Sequence, residues 1–411
     1  MSTTTPASWL DDARARSAAA FADTPPPTDE EEVWRYSRID SVDLAAYQSA
    51  DGSAGGPAHI EIDGSAAMVV IRDGHIVSIE TSPGLGKATV TNLGEHDDGQ
   101  ALLHSVRGDA IDAVGHLHDA NIGDVVVIDV PRGAHVEGPI VIDVYAEAEQ
   151  GLTSPHTIVR AGAGSSVSVL ERRRSGKADQ LVLPVVELDA AADARIGYLV
   201  IQELGTKTIS LEQIACTAGQ QANVTVGLAA FGGSYARTRA DLVLTGRGAS
   251  GDLLSAYFGD SDQMLDFRTF QDHQAPDTTS NLLFKGAVTG SAQSVYSGLI
   301  LVADSAPGTN AFQTNRNLKL SDEAWAYSVP NLEIEQNEVA CSHASTVGEI
   351  DEEQRYYLES RGVPPTMAEQ LLVSGFFAEV INQMPIDAVK GELQATIDAA
   401  LAADRGRKAT E

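Results

Sequence analysis

From about Gly123 onward the sequence repeats one local pattern: a short apolar or alternating run, then a break at Gly, Asp, Asn or Ser. The series opens with Val125 to Val130, Pro139 to Val144, Thr157 to Arg160, Val167 to Leu170, Leu181 to Leu188, Ile196 to Gln202, Thr208 to Gln213 and Val224 to Leu228. It continues with Leu242 to Leu244, Phe267 to Phe270, Asn281 to Phe284, Gly298 to Val302 and Leu332 to Ile334. Runs of this length, rich in Val, Ile and Leu and bounded by turn residues, are strands. No amphipathic helix interrupts them, which excludes βαβ units. The strands are too many for one sandwich, and aromatic residues are only 5% of the chain. Repeated aliphatic runs joined by small turns favour a mainly β fold with a right-handed parallel β-helix core, each coil stacked on the last.

Helical sequence flanks this core. Trp9 to Phe21 is alanine-rich with apolar residues at helical spacing, and Pro25-Pro26-Pro27 ends it. Thr28-Asp29-Glu30-Glu31 predicts a second helix start, with a capping oxygen before acids. Residues 1–57 are therefore expected to be a helical segment and linker. Residues 58–122 are expected to be a mixed lead-in with strands Ala67 to Arg72 and His75 to Glu80 and a helix near Gln100 to Ala113. Residues 123–345 form the expected β-helix, and 346–411 a helical domain. In that last part Asp351-Glu352-Glu353 predicts a helix N-terminus and Arg361-Gly362 its end. Thr366-Met367-Ala368-Glu369 predicts a capping box for the next helix. Its apolar stripe is read as Leu371, Leu372, Phe376, Phe377, Val380 and Ile381, with Pro385 as the stop and a final helix from about Asp387 to Ala402.

The 411 residues carry a net charge of −30, with 58 acidic residues against 28 basic. Such a surface repels nucleic acid and anionic membranes. Adaptation to high salt is the expectation, because short screening lengths make a large net charge tolerable; an acidic protein docking on a basic partner is the alternative. No stretch reaches the ~18 apolar residues of a membrane span. Met1 to Pro6 has neither the basic nor the apolar region of a signal peptide. Cys216 and Cys341 are the two cysteines and lie far apart, so a reduced, cytoplasmic protein is expected.

Several motifs fail as chemical sites. Pro83-Gly84-Leu85-Gly86-Lys87-Ala88-Thr89 lacks the first glycine and the hydroxyl residue directly after the lysine that a phosphate loop needs, and reads as a turn. Gly162-Ala163-Gly164 lies between strands, not before a helix. His104, His116 and His118 are read as polar residues around a helix end, and Cys216 as core. The exception is Cys341-Ser342-His343. Residues i and i+2 of a strand share a face, so a thiolate and an imidazole stand together there, a pair suited to zinc or to iron–sulfur chemistry. Two ligands do not complete a site.

The region from Phe270 to Met384 resembles the SufB/SufD family of iron–sulfur cluster assembly scaffolds. The resemblance is carried by Lys285-Gly286, Gly290-Ser291, Gln313-Thr314-Asn315-Arg316-Asn317-Leu318, Leu320-Ser321 and Pro330-Asn331-Leu332-Glu333-Ile334. It runs on through Cys341 to Gly348, Asp351 to Gln354, Tyr357 to Gly362 and Gly375-Phe376. Glu32-Val33-Trp34-Arg35-Tyr36 is similar to an N-terminal signature on the SufD side. SufB-like members carry a cysteine inside the first C-terminal helix, where this chain has Leu358, so the resemblance is to SufD. It implies a non-catalytic subunit of a SufBCD complex that offers Cys341 and His343 to a transient iron–sulfur cluster shared with a SufB-like protein. It also implies C-terminal helices that dock a SufC-like ABC ATPase, here through Leu371, Leu372, Phe376 and Phe377. A flavin in the complex stays open, as does a homodimer when the partner is absent. From the residues alone, a β-helix polysaccharide-active enzyme or a purely structural β-helix are the alternatives.

Overall fold

Two long sheets wind side by side through the computed structural model, which describes residues 8–50, 52 and 55–408. One sheet runs Thr89–Asn92, Ile122–Val130, Gly151–Ala161, Val185–Ala190, Thr208–Ala218, Tyr235–Leu244, Met264–His273, Gln293–Val302 and Trp325–Ile334. The other runs His75–Thr81, Ala67–Arg72, Ile140–Ala146, Ser166–Ser175, Arg195–Glu203, Asn223–Ala230, Ser250–Gly259, Thr279–Val288, Thr309–Lys319 and Val339–Gly348. Successive strands alternate between the sheets, and neighbours within each sheet pair in parallel apart from the antiparallel pairs at its start. This is the parallel β-helix that the run pattern predicts.

The register stacks residues in columns. Tyr198 pairs with Val226, Val226 with Leu253, Leu253 with Leu282, Leu282 with Gln313, and Gln313 with His343. Side chains alternate across a strand, so every second residue enters the space between the sheets. Val169, Val186, Leu188, Tyr198, Ile214, Cys216, Val226, Leu242 and Leu253 form one continuous buried core there. Cys216 is core, as expected, and burial pushes its thiol well above the ordinary range. Burying such a column of aliphatic side chains contributes roughly 1.5–3 kcal/mol for each Leu, Ile or Val, which is why strands without local hydrogen bonds hold together.

The helical flanks depart from expectation in instructive ways. Helix α1 (Ser8–Asp23) forms where the alanine-rich run predicts it. The predicted start at Thr28 gives only a 3₁₀ turn, Glu32–Trp34, whose N-cap Glu31 makes no side-chain cap bond. The chain there is claimed by the first sheet instead. Arg237 Nη2 donates to Val33 O at 2.6 Å and Arg268 Nη2 to Arg35 O at 2.6 Å. The Arg237 guanidinium lies 4.0 Å over the buried Trp34 ring. The helix predicted near Gln100 to Ala113 is replaced by α2 (Gly99–Leu102) and α3 (Ala113–Ala120). Between them His104 and Gly108 adopt positive φ, 62° and 74°, which breaks a helix.

At the other end, Asp351 caps α4 (Glu352–Ser360) through the Glu353 and Gln354 amides. Helix α5 (Pro365–Ile381) begins with proline at its first turn and has no side-chain cap, so the predicted capping box does not form. Proline presets φ and has no amide to satisfy, which makes the cap unnecessary. Helix α6 (Lys390–Lys408) follows a short 3₁₀ turn. Helices α5 and α6 lie on the outer face of the second sheet, burying Val373, Phe377, Val380, Ile381, Leu393 and Ile397 against Leu254, Phe258 and Ala287. Lys285 locks this contact, donating to Phe376 O at 2.8 Å and pairing with Glu379. No helix among the described residues is long and apolar enough to cross a membrane.

Candidate functional site: the open end of the β-helix

The last coil is made by Trp325–Ile334 and Val339–Gly348, and among the described residues each of these strands is paired on one side only. Their outer backbone N–H and C=O groups are therefore free to accept another strand. Cys341 pairs with Ala311 and His343 with Gln313. Ala311 is core, so Cys341 and His343 face the interior with it, on one face as the spacing predicts. Cys341 is half-buried against Ile300, Val302, Ala306 and Ala311. Burial pushes its thiol up, an effect the Ala311 backbone partly offsets. His343 is exposed. Leu358 sits half-buried on α4.

Toward this end the interior changes character. The buried inward residues of Thr309–Lys319 are Thr309, Ala311, Gln313, Asn315 and Asn317, only one of them apolar. Asn317 Oδ1 accepts from Tyr257 OH at 2.5 Å, and Asn317 Nδ2 donates to Asn315 Oδ1 at 2.8 Å. Gln313 Nε2 donates to Gln271 Oε1 at 3.2 Å, and Gln271 Nε2 to Ser280 Oγ at 2.7 Å. His273 lies 2.8 Å from both Ser280 Oγ and Thr278 Oγ1. Burial alone pushes the His273 imidazole down to about 4, so it is neutral at pH 7. These are the amide ladders between coils that the Asn, Gln and Ser residues of this region suggest.

The docking residues separate. Phe377 is buried in the helix–sheet contact, Phe376 and Leu372 are half-buried, and Leu371 is 51% exposed. Position 373, absent from the predicted stripe, is buried instead. Tyr356 and Tyr357 on α4 and Met367 on α5 are exposed as well.

The histidines near α3 lie around helix ends as expected, His118 in the last turn of α3 and His104 just past α2, but they are drawn into the fold. His118 is buried, with Nδ1 2.6 Å from Leu183 O and Nε2 3.2 Å from His156 Nδ1. His156 Nε2 is 2.9 Å from Glu187 Oε1. Glu187 also accepts the backbone N–H of His104, Val106 and Arg107. Burial would raise Glu187, but His156 and those amides hold it down at about 2. Burial drives both imidazoles below their ordinary range. The cluster buttresses the lead-in segment on the β-helix. His156 and Glu187 carried no sequence signal beyond being polar residues inside strands. His116, from the same group, lines a groove beside α1. Among the described residues no group of three or more His, Cys, Asp or Glu is placed to hold a metal ion, and the region of Cys341 and His343 is no exception.

Residues 144–376 match the family model described as the SufBD core domain of SUF-system FeS cluster assembly. The chain belongs to the SufBD family. The match spans the β-helix and reaches into α5. An iron–sulfur cluster assembly SufBD-family protein of Mycobacterium tuberculosis is 36% identical over 288 residues, covering 68% of this chain and 72% of that one. SufD of Bacillus subtilis is 29% identical over 287 residues, 69% and 65% of the two chains. SufD of Escherichia coli is 25% identical over 381 residues, 90% and 88%. Within the SufBD family the chain is most like SufD, which places it among iron–sulfur cluster assembly proteins.

Proposed function

We propose that this chain is a SufD-like, non-catalytic subunit that pairs its open β-helix end with a SufB-like protein and contributes Cys341 and His343 to an iron–sulfur cluster held between them. The observation that supports the reading is that the thiol and the imidazole share the inward face of a terminal strand with one open edge. Two ligands from one chain and two from its partner make the four protein ligands that an iron–sulfur cluster takes. The cluster is cargo, so a loose hold is an advantage. A half-buried thiol that stays protonated when free binds iron only when the partner brings it, and releases it when the interface opens. The work of opening is assigned to an ABC-type ATPase docked on α4 and α5 around Leu371, Tyr356 and Tyr357.

Reconstitution with a SufB-like protein and the ATPase tests this, following cluster absorbance. His343→Ala and Cys341→Ser should leave the far-UV circular dichroism of the chain unchanged and lower the rate of cluster formation at least tenfold. Wild-type rates in both variants would remove the pair from the site. A tagged chain that captures neither partner would refute the complex.

A further inference from the structure

We propose that Gln313 is the positioning residue of His343: its amide oxygen accepts the proton of one imidazole nitrogen and turns the other nitrogen toward iron, an inference that rests on the reading of His343 as a cluster ligand. The two residues are direct partners in the parallel ladder and share the inward face. Adjacent strands lie about 4.8 Å apart, which puts such side chains within reach of each other.

Gln313 is 1% exposed. Its Nε2 is committed to Gln271 Oε1, while its Oε1 has no partner. The neighbouring inward amides have none to spare, since Asn315 Oδ1 accepts from Asn317 and Asn317 Oδ1 accepts from Tyr257. Buried carbonyl oxygens are rarely left unpaired, so this one is an acceptor available to the imidazole of the next coil. Its direction is fixed from behind. Gln271 donates to Ser280, Ser280 meets His273, and His273 meets Thr278, which donates to Ala275 O. Turning the Gln313 amide over would set its oxygen against Gln271 Oε1. The file of hydrogen bonds therefore presents an acceptor toward the open end, where the next residue in the column is His343. Ligating imidazoles characteristically donate their second N–H to such an acceptor, which fixes the tautomer and ring orientation.

The test is a long-range ¹H–¹⁵N correlation spectrum of the full chain labelled with ¹⁵N-histidine, with His343 assigned by its loss in His343→Ala. A single His343 tautomer is expected in the wild type and in Gln313→Glu, which keeps an acceptor. Gln313→Met, near in shape but without one, should give a mixture, and in the reconstituted complex should slow cluster formation about 10- to 100-fold. A mixture in the wild type overturns the proposal without any variant, and so does a Gln313→Met spectrum identical to wild type. If the tautomer follows Gln313 while His343→Ala assembles clusters at the wild-type rate, the ligand reading has failed and the positioning role falls with it, although the hydrogen bond stands.

Discussion

Phe377→Ala should release the C-terminal helices while leaving the β-helix intact. Phe377 is fully buried among Val373, Val380, Ile381, Met384 and the outward residues Leu254, Phe258 and Ala287. An aromatic side chain buries about 150–250 Å², worth ~4–6 kcal/mol at ~25 cal/mol per Å². Alanine keeps part of this, and measured Phe→Ala costs in cores are about 3–5 kcal/mol. The loss falls on one contact, because this cluster is separate from the interior core between the sheets. Lys285 bonds the same helix but cannot replace the lost area. At ~1.4 kcal/mol per tenfold, local opening of α5 and α6 should rise by roughly two to nearly four powers of ten. Amide hydrogen exchange reads this directly: protection in α5 and α6 collapses while Tyr235–Leu244 and Met264–His273 keep theirs. Leu371→Ala, at a half-exposed position, should change helix protection by less than about tenfold and act instead on recruitment of the ATPase. Equal effects of the two substitutions on protection, or a loss spread evenly through the β-helix, would refute the division of the helix into a packed and a free face.

Three further outcomes are expected. Arg237→Met removes the bond to Val33 O, the stack on Trp34 and one of two arginines on buried Asp266; at about 2–4 kcal/mol it should speed native-state trypsin cleavage at Arg35 and Arg38 at least tenfold, and an unchanged rate would show the segment is held otherwise. His273 titrates near 4 folded against about 6.5 unfolded, so the unfolded chain binds the extra proton first: its effect is absent above pH 6.5 and grows as pH falls toward 4, reaching about 3 kcal/mol. Urea unfolding of wild type and His273→Gln from pH 7.5 to 4.5 should diverge by that slope, and parallel curves would contradict a buried neutral imidazole. Iodoacetamide at pH 8 should label half-buried Cys341 well before fully buried Cys216, and equal labelling by mass spectrometry would place Cys341 wrongly.

The β-helix was legible because its interior is aliphatic and its turns are marked by small residues. The strands are longer than the apolar runs that announce them. Tyr235–Leu244 was visible only as Leu242 to Leu244, since Arg237, Arg239 and Asp241 face outward between its inward residues. Ser250–Gly259 was missed because Gly251, Asp252 and Ser255 interrupt its pattern. The face of α5 could not be read for a different reason. From Leu371 to Ile381 nearly every position is apolar, so the sequence gives no preferred side, and the sheet decides that Val373 goes in and Leu371 stays out. The His118, His156 and Glu187 cluster joins residues tens of positions apart, which only the coil register brings together. Cys341 and His343 were visible because their relation is local, two residues on one strand. Gln313 stands in the sequence only within the family-like run Gln313 to Leu318, and its unpaired oxygen needs the geometry of Gln271 behind it.

A stacked β-helix has to end, and its end poses a physical conflict. An apolar last coil would leave a large greasy patch and two unpaired strand edges in water, which is the recipe for uncontrolled aggregation. A helical cap would remove both but would close the end for good. Here the column that runs through Val169, Tyr198, Val226, Leu253 and Leu282 turns to Gln313 and His343, while the strand edges stay open. His343 and the open strand edges can bond water when the end is bare and protein when it is covered, and the buried amides behind them bond chiefly to one another, so neither state carries a heavy desolvation penalty. The energy difference between the two is then small enough for a partner's conformational change to decide it. In the complex proposed above, an interface that opens repeatedly would require that balance, and a leucine ladder in place of Gln313, Asn315 and Asn317 would remove it.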